Sequence, residues 1–150
     1  MADVSAAVIF NDLSEVLLQL RDVKSGIRSS GLWSLPGGSR EVGETSVGAV
    51  VREVEEETSL VLDNPVYFLS LRDVFEGLPV IDIDFYLIQV SEPFKLEVNE
   101  GQQLRFVALS DLTNYDKNIY LDFVIDYAFF TLNFLKSQKH GRQDSIGLEF

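Results

Sequence analysis

The stretch that decides the fold is Gly38–Leu60, which reads GSREVGETSVGAVVREVEEETSL. Its second half places glutamates three and four positions apart, at Glu53, Glu56 and Glu57. A helix with this spacing would bring the three carboxylates to one side. Each like-charge pair of this kind destabilises an isolated helix by roughly 0.2–0.5 kcal/mol. We therefore expect the cluster to be solvated, paired with basic groups or bound to cations.

The helix that carries these glutamates is predicted to begin near Thr45 or Ser46 and to run to about Thr58. Either of the first two residues is a suitable N-cap, because a side-chain hydroxyl can accept a hydrogen bond from a free amide of the first turn. Four valines share another side of the helix and are expected to pack on a sheet: Val47, Val50, Val51 and Val54.

The chemistry of the acidic cluster favours a hard cation over zinc. The chain has no cysteine and a single histidine, His140, so carboxylate oxygens are the available donors. Such donors suit Mg²⁺, Mn²⁺ or Ca²⁺. Pro36-Gly37-Gly38 precedes the helix, and its missing side chains would let a metal or phosphate come close to the backbone. A simple tight turn would explain the same residues.

The rest of the chain alternates strand and helix signals. Two β-type runs, Ala2–Phe10 and Glu15–Arg21, predict a hairpin, and further strands and a long C-terminal helix follow at Pro65–Phe75, Val80–Val90, Gln103–Leu109 and Asn118–Lys136. For the aromatic stripe on that helix, core packing is favoured over a cofactor site; it consists of Phe123, Tyr127, Phe130 and Phe134. We expect one domain over residues 1–150, with an ordered core at about 4–136 and a polar tail from Ser137.

Charge and hydropathy restrict the class of partner. The net charge of −12 over 150 residues disfavours binding to a nucleic-acid polymer. No segment reaches roughly 18 apolar residues without charges, so a soluble, cytoplasmic protein that does not bind a membrane is expected. We expect it to be a monomer or a homodimer. Four basic residues precede the acidic run, either as a rim that contacts phosphate or as ordinary loop charges: Arg21, Lys24, Arg28 and Arg40.

The whole stretch resembles the Nudix (MutT-type) box, G-x5-E-x7-R-E-U-x-E-E-x-G-U, in which U is a bulky aliphatic residue. Eight of the nine specified positions match, namely Gly38, Glu44, Arg52, Glu53, Val54, Glu56, Glu57 and Leu60. The exception is Ser59, where the family has glycine. The flanking segments LWSLPGG and RFVALSDL, at 32–38 and 105–112, also resemble those of Nudix domains.

The resemblance implies an α+β fold, an α/β/α sandwich around a central mixed β-sheet. It also implies Mg²⁺-dependent hydrolysis, with Mn²⁺ as a substitute, of a nucleoside diphosphate linked to another moiety. The implied metal ligands are Glu56, Glu57 and the Gly37 carbonyl, with Glu53 as a third ligand or as the base that deprotonates water. Arg52 would orient a glutamate, and Glu44 would brace the loop before the helix or reach a metal through water. A late-loop ligand would be Glu100, with Glu97 as the alternative, although a solvated carboxylate explains Glu100 equally well.

Substrate contacts are less closely defined by the pattern. Arg21 resembles a position that contacts phosphate, the backbone at Gly38 allows phosphate to approach, and Lys24 or Arg28 would assist. Trp33 and Phe75 would stack on a base or belong to the core. Subfamily markers for ADP-ribose and dinucleoside polyphosphates are missing at Phe75–Leu78, which leaves a (deoxy)nucleoside triphosphate, normal or oxidised, as the favoured substrate. ADP-ribose, nucleotide sugars, dinucleoside polyphosphates and a non-catalytic nucleotide-binding module remain alternatives.

The departure at Ser59 predicts a local change at the end of the helix. If Ser59 adopts the left-handed conformation that glycine tolerates, the cost is roughly 1–2 kcal/mol. The implied ligands precede this position. We therefore expect an altered exit loop and an intact metal site.

Overall fold

The computed structural model describes residues 2–74 and 77–148. Seven strands form one sheet, and a helix packs on each face of it. The strands are β1 (Val4–Phe10), β2 (Val16–Leu20), β3 (Trp33–Ser34), β4 (Gly37–Ser39), β5 (Val66–Asp73), β6 (Ile81–Gln89) and β7 (Gln103–Val107). The helices are α1 (Ser46–Thr58) and α2 (Tyr120–Leu148), with a 3-10 helix at Leu109–Asn114.

The sheet is mixed, as predicted. Its strand order is β3-β2-β1-β6-β5, while β4 also pairs with β1 and β7 with β2. The long strands β1 and β6 run parallel, and the other pairs are antiparallel. The predicted hairpin of β1 and β2 is present. The predicted α/β/α architecture is therefore confirmed.

The core has two halves, one on each face of the sheet. Alternate residues of β1 point to opposite faces. Val8 and Phe10 pack in the half that includes α2, whereas Ala7 and Ile9 pack in the half that includes α1. The α1 half contains Val50 and Val54 and is completed by residues that follow the helix, among them Leu60 and Leu62. This packing fixes α1 against the middle of the sheet.

The aromatic stripe on α2 was predicted to pack in the core, and this prediction is wrong. Phe123, Tyr127, Phe130 and Phe134 are exposed, with Phe130 at 69%. A second row of smaller side chains at helical spacing faces the sheet instead, formed by Leu121, Val124, Ile125, Ala128 and Leu132. Because α2 is apolar on two sides, the spacing of its aromatic residues could not show which side is buried.

Helix α2 also continues beyond its predicted end. It runs to Leu148, whereas the sequence predicted a helix end at Lys136 and a polar tail from Ser137. The segment has no proline and contains glutamine, lysine and arginine, all good helix formers, so the helix continues through it although Gly141 weakens it. Within the described part of the chain, neither helix is long and apolar enough to cross a membrane.

Candidate active site

Helix α1 begins and ends where the sequence predicted. The Thr45 hydroxyl accepts a hydrogen bond from the Gly48 amide at 3.0 Å, so Thr45 is the N-cap. At the other end Ser59 has φ 65° and ψ 1°, the left-handed conformation that glycine adopts more easily. The valine face is only partly as predicted, because Val47 is 41% exposed whereas Glu57 is buried. The helix thus turns Glu57 toward the sheet, while Glu56 stays exposed.

A polar network fixes the start of α1 on the sheet. The Ser46 hydroxyl donates to Asp84 Oδ2 at 2.6 Å and accepts from the Tyr86 hydroxyl at 2.9 Å. The Ser5 hydroxyl, fully buried on β1, donates to the Ser46 carbonyl oxygen at 2.9 Å. Sequence reasoning missed this network, because its members lie on three separate elements.

Arg52 connects the loop before α1 with the acidic cluster. Its Nε and Nη2 donate to the two carboxylate oxygens of Glu44 at 2.8 and 3.0 Å. Its Nη1 donates to Glu53 Oε1 at 2.9 Å and to Glu56 Oε2 at 3.3 Å. The hydrogen bond from Arg52, followed by one from the Glu41 amide, lowers the pKa of Glu44 to about 2. Glu44 is thus kept ionised and in place by Arg52.

Glu57 and Glu53 lie in surroundings that disfavour a free negative charge. Glu57 is 3% exposed, and its Oε2 accepts a hydrogen bond from the Gly37 amide at 3.3 Å. Burial raises the pKa of Glu57 to about 8. Burial also raises the pKa of Glu53, although its hydrogen bond from Arg52 opposes the change. A cation beside these two groups would offset the cost of burying their charges.

The donor set fits a hard divalent cation, although the carboxylates are not gathered around one point. Within residues 2–74 and 77–148, no three acidic or histidine side chains converge closely enough to enclose a metal. Arg52 holds Glu53 and Glu56, while the Gly37 amide holds Glu57. Every donor in the cluster is an oxygen, the type that Mg²⁺ and Mn²⁺ prefer.

The two glycines of the loop are required by close contacts. A Cβ at Gly37 would collide with the backbone of Ser5 and Ala6 on β1. A Cβ at Gly38 would lie 2.5 Å from the carboxyl carbon of Glu53. Any larger residue at Gly38 would therefore displace Glu53.

A cavity of about 400 Å³ adjoins this loop, and Gly37 and Gly38 form part of its wall. Much of the rest of the wall is apolar, with Leu35, Ile81, Ile83, Phe85 and Leu121 among the lining residues. The volume falls within the range of small-molecule sites. A wider groove of about 620 Å³ follows the exposed side of α1 and is lined by Arg52 and Glu56. Neither Glu53 nor Glu57 lines the groove or the cavity. The cavity beside the glycines, which Arg21 also lines, is the candidate ligand site.

Three polar groups line one side of the cavity and were not brought together by sequence reasoning. Arg28 Nη1 lies 3.2 Å from Asp73 Oδ1, and the Tyr120 hydroxyl donates to Asp73 Oδ2 at 3.3 Å. Arg28 lies in the loop between β2 and β3, Asp73 ends β5, and Tyr120 begins α2. The available sequence signal was Asp73 itself, a carboxylate at the end of a mainly apolar strand.

Arg21 lines both the 400 Å³ cavity and a smaller cavity of about 130 Å³. Its Nε is buried and has no hydrogen-bond partner among the described residues. The smaller cavity is also lined by Lys24 and Glu100. The charge of Glu100 adds to the larger effect of burial in raising the pKa of both Glu53 and Glu57. Arg21 shares the wall of the 400 Å³ cavity with Gly37 and Gly38, and the Asn99 amide, one residue before Glu100, donates to the Glu57 carbonyl oxygen at 3.0 Å. Arg21 and Glu100 therefore lie on two sides of the segment that carries the acidic cluster.

The remaining predicted site residues lie elsewhere. Trp33 contacts the edge of Tyr115 at 5.2 Å between ring centroids, and the Arg105 guanidinium covers it at 5.6 Å. It lines neither the 400 Å³ nor the 130 Å³ cavity. The Glu97 carboxylate contacts Lys95 at 3.4 Å and the Ser59 hydroxyl at 3.1 Å. Phe75 lies outside the described residues.

Known proteins with similar sequences or structures point to one family. The chain is 43% identical over 70 residues to the mouse (Mus musculus) 8-oxo-dGDP phosphatase, covering 47% of this chain and 20% of that protein. It is 31% identical over 100 residues to the 8-oxo-dGTP diphosphatase of Haemophilus influenzae, covering 65% of this chain and 71% of the relative. A solved structure of MutT, from work on Aliivibrio salmonicida and Vibrio cholerae, superposes with a TM-score of 0.66 at 30% identity, over 87% of this chain and 98% of that one.

The family itself is shown by a match to most of the chain. The NUDIX domain matches residues 1–126, a range that contains the whole sheet, α1 and the first turns of α2. The chain spans only one fifth of the mouse relative, so the comparison with that protein concerns this domain alone. With the matching fold and the matching segment Gly38–Leu60, these findings show that the chain belongs to the Nudix hydrolase family.

Proposed function

We propose that this domain is a Mg²⁺-dependent nucleotide pyrophosphohydrolase that converts a (deoxy)nucleoside triphosphate and water into the monophosphate and pyrophosphate. The observation that carries the proposal is the placement of the buried carboxylate of Glu57 and the partly buried carboxylate of Glu53 against two glycines of a cavity wall. A base and sugar would occupy the 400 Å³ cavity. The phosphates would lie toward Arg21, whose buried Nε is a free donor among the described residues.

The carboxylates Glu53, Glu56 and Glu57, with the Gly37 carbonyl and Glu100, would hold the ions. A bound divalent ion would neutralise phosphate charge and lower the pKa of water. The chain's own residues prepare this site. Arg52 holds Glu53 and Glu56 in place, and Glu44 in turn holds Arg52 through two hydrogen bonds.

Glu53 is the proposed base that takes a proton from the attacking water. Burial raises its pKa, which brings the group closer to neutral pH, where a general base is most effective. Gly38 leaves room for its carboxyl group, and Arg52 restrains one of its oxygens. The second oxygen would then be available to water.

An oxidised guanine nucleotide is the favoured substrate. Support comes from the activities after which two relatives are named, the Haemophilus influenzae 8-oxo-dGTP diphosphatase and the mouse 8-oxo-dGDP phosphatase. The relatives differ in the number of phosphates. We favour the triphosphate because the Haemophilus influenzae protein matches over 71% of its own length. The higher identity to the mouse protein, 43% over 70 residues, makes a diphosphate the second candidate.

A substrate panel with identification of the products tests this proposal. The panel contains 8-oxo-dGTP, dGTP, 8-oxo-dGDP, ADP-ribose, a nucleotide sugar and a dinucleoside polyphosphate, each with and without Mg²⁺. We expect the highest kcat/KM with 8-oxo-dGTP, and monophosphate with pyrophosphate as products. Orthophosphate from 8-oxo-dGDP as the preferred reaction would establish the second candidate. Selective cleavage of ADP-ribose or of the nucleotide sugar would overturn both, and nucleotide binding without any cleavage would identify a non-catalytic module.

A further inference from the structure

Ser59, the residue that departs from the family pattern, makes two side-chain hydrogen bonds where α1 ends. Its hydroxyl donates to Glu97 Oε2 at 3.1 Å and accepts from Asn99 Nδ2 at 2.8 Å. A glycine would adopt the left-handed conformation more easily, but it has no hydroxyl to offer. The serine therefore supplies contacts that the usual residue of the box cannot make.

Both partners of Ser59 belong to the segment Glu97–Glu100, which also binds the backbone of α1. The Glu97 amide donates to the Thr58 carbonyl oxygen at 2.8 Å, and the Asn99 amide donates to the Glu57 carbonyl oxygen at 3.0 Å. These carbonyls are in the last turn of the helix, where no partner within the helix remains. The segment thus uses the free carbonyls of α1 as its support.

On its other side the same segment is attached to β2. The Gln19 side chain, 2% exposed, donates from Nε2 to the Glu100 carbonyl oxygen at 3.1 Å. The Gln102 amide donates to the Leu20 carbonyl oxygen at 2.8 Å. Glu100 is therefore placed between the end of α1 and the end of β2.

Glu100 needs such support because its charge is repelled by Glu53 and Glu57. Glu100 follows Asn99, whose amide is hydrogen-bonded to the Glu57 carbonyl oxygen, so the loop brings its carboxylate to the end of α1 that carries Glu53 and Glu57. In the absence of a cation, repulsion favours movement of the loop away from the cluster. Hydrogen bonds between the loop and the end of α1 oppose this movement.

We propose that Ser59 is a positioning residue whose hydroxyl holds the Glu97–Glu100 segment against the end of α1 and so keeps Glu100 beside Glu53 and Glu57. The contribution of Glu100 to metal binding rests on the proposed function. The attachment of the Glu97–Glu100 segment by Ser59 is independent of the proposed function. Two separate measurements therefore test the two parts.

Amide hydrogen exchange of the metal-free protein tests the attachment. Ser59→Ala removes the hydroxyl and keeps a side chain, whereas Ser59→Gly removes the hydroxyl and adds backbone freedom. We expect both variants to speed the exchange of the Glu97 and Asn99 amides about tenfold, the effect of losing one or two hydrogen bonds. Ser14→Gly is the matched control, because Ser14 also has a left-handed backbone, with φ 58°, and lies in the β1–β2 turn.

The exchange results distinguish the effect of losing the Ser59 hydroxyl from the effect of added backbone freedom. Faster exchange in both Ser59 variants, with no change in Ser14→Gly, supports the proposal. Faster exchange in Ser59→Gly alone would assign the effect to backbone freedom and overturn it. Unchanged exchange in both variants would also overturn it.

Mn²⁺ binding without nucleotide tests the consequence for Glu100. We measure the dissociation constant by electron paramagnetic resonance for Ser59→Ala, Glu100→Gln and the double variant. Each single variant is expected to bind Mn²⁺ several-fold more weakly, and the double variant no more weakly than Glu100→Gln, because Ser59 acts through Glu100. Fully additive losses, or no loss in Ser59→Ala, would contradict the proposal. If the wild type failed to cleave nucleotides but showed these Mn²⁺ and exchange results, the proposed function would fail and the role of Ser59 would stand.

Discussion

At the scale of single residues, Glu57 has the most unusual surroundings in the cluster. It lies on the buried side of α1, and a single amide, that of Gly37, donates to its carboxylate. A buried carboxylate without a cation favours the protonated form. The metal-free protein should therefore show a pH dependence that the metal-bound protein does not.

This pH dependence is the first prediction. Burial raises the pKa of Glu57 to about 8, whereas the unfolded chain titrates near 4.5. The folded state therefore binds the proton more tightly, and the free energy of unfolding falls as the pH rises from about 4.5 to about 8. Glu53, whose pKa is also raised by burial, acts in the same direction. Chemical denaturation in the presence of EDTA across this range measures the effect.

Two variants control that experiment. Glu57→Gln should reduce the slope, because its side chain cannot ionise. Glu55→Gln, an exposed position on the same helix, should leave the slope as it is in the wild type. Stability that rises with pH over this range in the wild type would show that Glu57 is not buried as described.

The second prediction concerns Gly38. In Gly38→Ala the new Cβ would lie 2.5 Å from the Glu53 carboxyl carbon, so the carboxyl group must move. A displacement of about 1 Å in a catalytic group can cost about 100-fold in rate, and we expect a loss of that order in kcat. Steady-state kinetics with Mg²⁺ measures it.

Gly43→Ala is the matched control for Gly38→Ala. Gly43 has φ 81°, and a Cβ there meets nothing within 4 Å. This variant should lose about 1 kcal/mol of stability through backbone strain and keep its activity. Full activity in Gly38→Ala would show that Glu53 does not need its observed position.

At the scale of elements, α1 is held at both of its ends. Ser46 attaches the start to β1 and β6, and the left-handed Ser59 leads the chain out toward Leu60 in the core. Between these ends the helix buries Val50, Val54 and Glu57 on one side. The position of the carboxylates is thus set by the same contacts that stabilise the fold.

The third prediction follows from the network at Ser46. Ser46→Ala would leave Asp84 Oδ2 and the Tyr86 hydroxyl without the partner that they share. Loss of a partner by partly buried polar groups costs about 1–3 kcal/mol in the free energy of unfolding. Ser137→Ala, on an exposed part of α2, should change it by less than about 0.5 kcal/mol. Equal effects of the two variants in urea denaturation would contradict this account.

The fourth prediction tests which side of α2 packs on the sheet. Ile125 is fully buried, and Ile125→Ala should cost about 2–5 kcal/mol. Phe130, although larger, is 69% exposed, and Phe130→Ala should cost less than about 1 kcal/mol. The same denaturation experiment measures both. If Phe130→Ala lowered the free energy of unfolding more than Ile125→Ala, the aromatic stripe, and not the row with Ile125, would be the side that packs in the core.

At the scale of the whole molecule, the sequence predicted what depends on local pattern. The limits of α1 and the strands β1 and β6 follow from caps, spacing and alternation within short windows. The contact of Arg28 with Asp73, and that of Ser59 with Asn99, join residues at least 40 positions apart. Such contacts depend on the packing of the sheet, which no short window of sequence encodes. The buried side of α2 was missed for a related reason, since two of its sides are apolar.

The fifth prediction tests the central claim, that Glu57 and its neighbours make this domain a metal-dependent hydrolase. The measurement is the initial rate of 8-oxo-dGTP hydrolysis with Mg²⁺ and with EDTA, for the wild type, Glu57→Gln and Glu55→Gln. We predict a Mg²⁺-dependent rate that falls at least about 100-fold in Glu57→Gln, because the charge stabilisation supplied by the ion is lost, and that is unchanged in Glu55→Gln. Equal rates in the three proteins, or hydrolysis that persists in EDTA, would contradict the account.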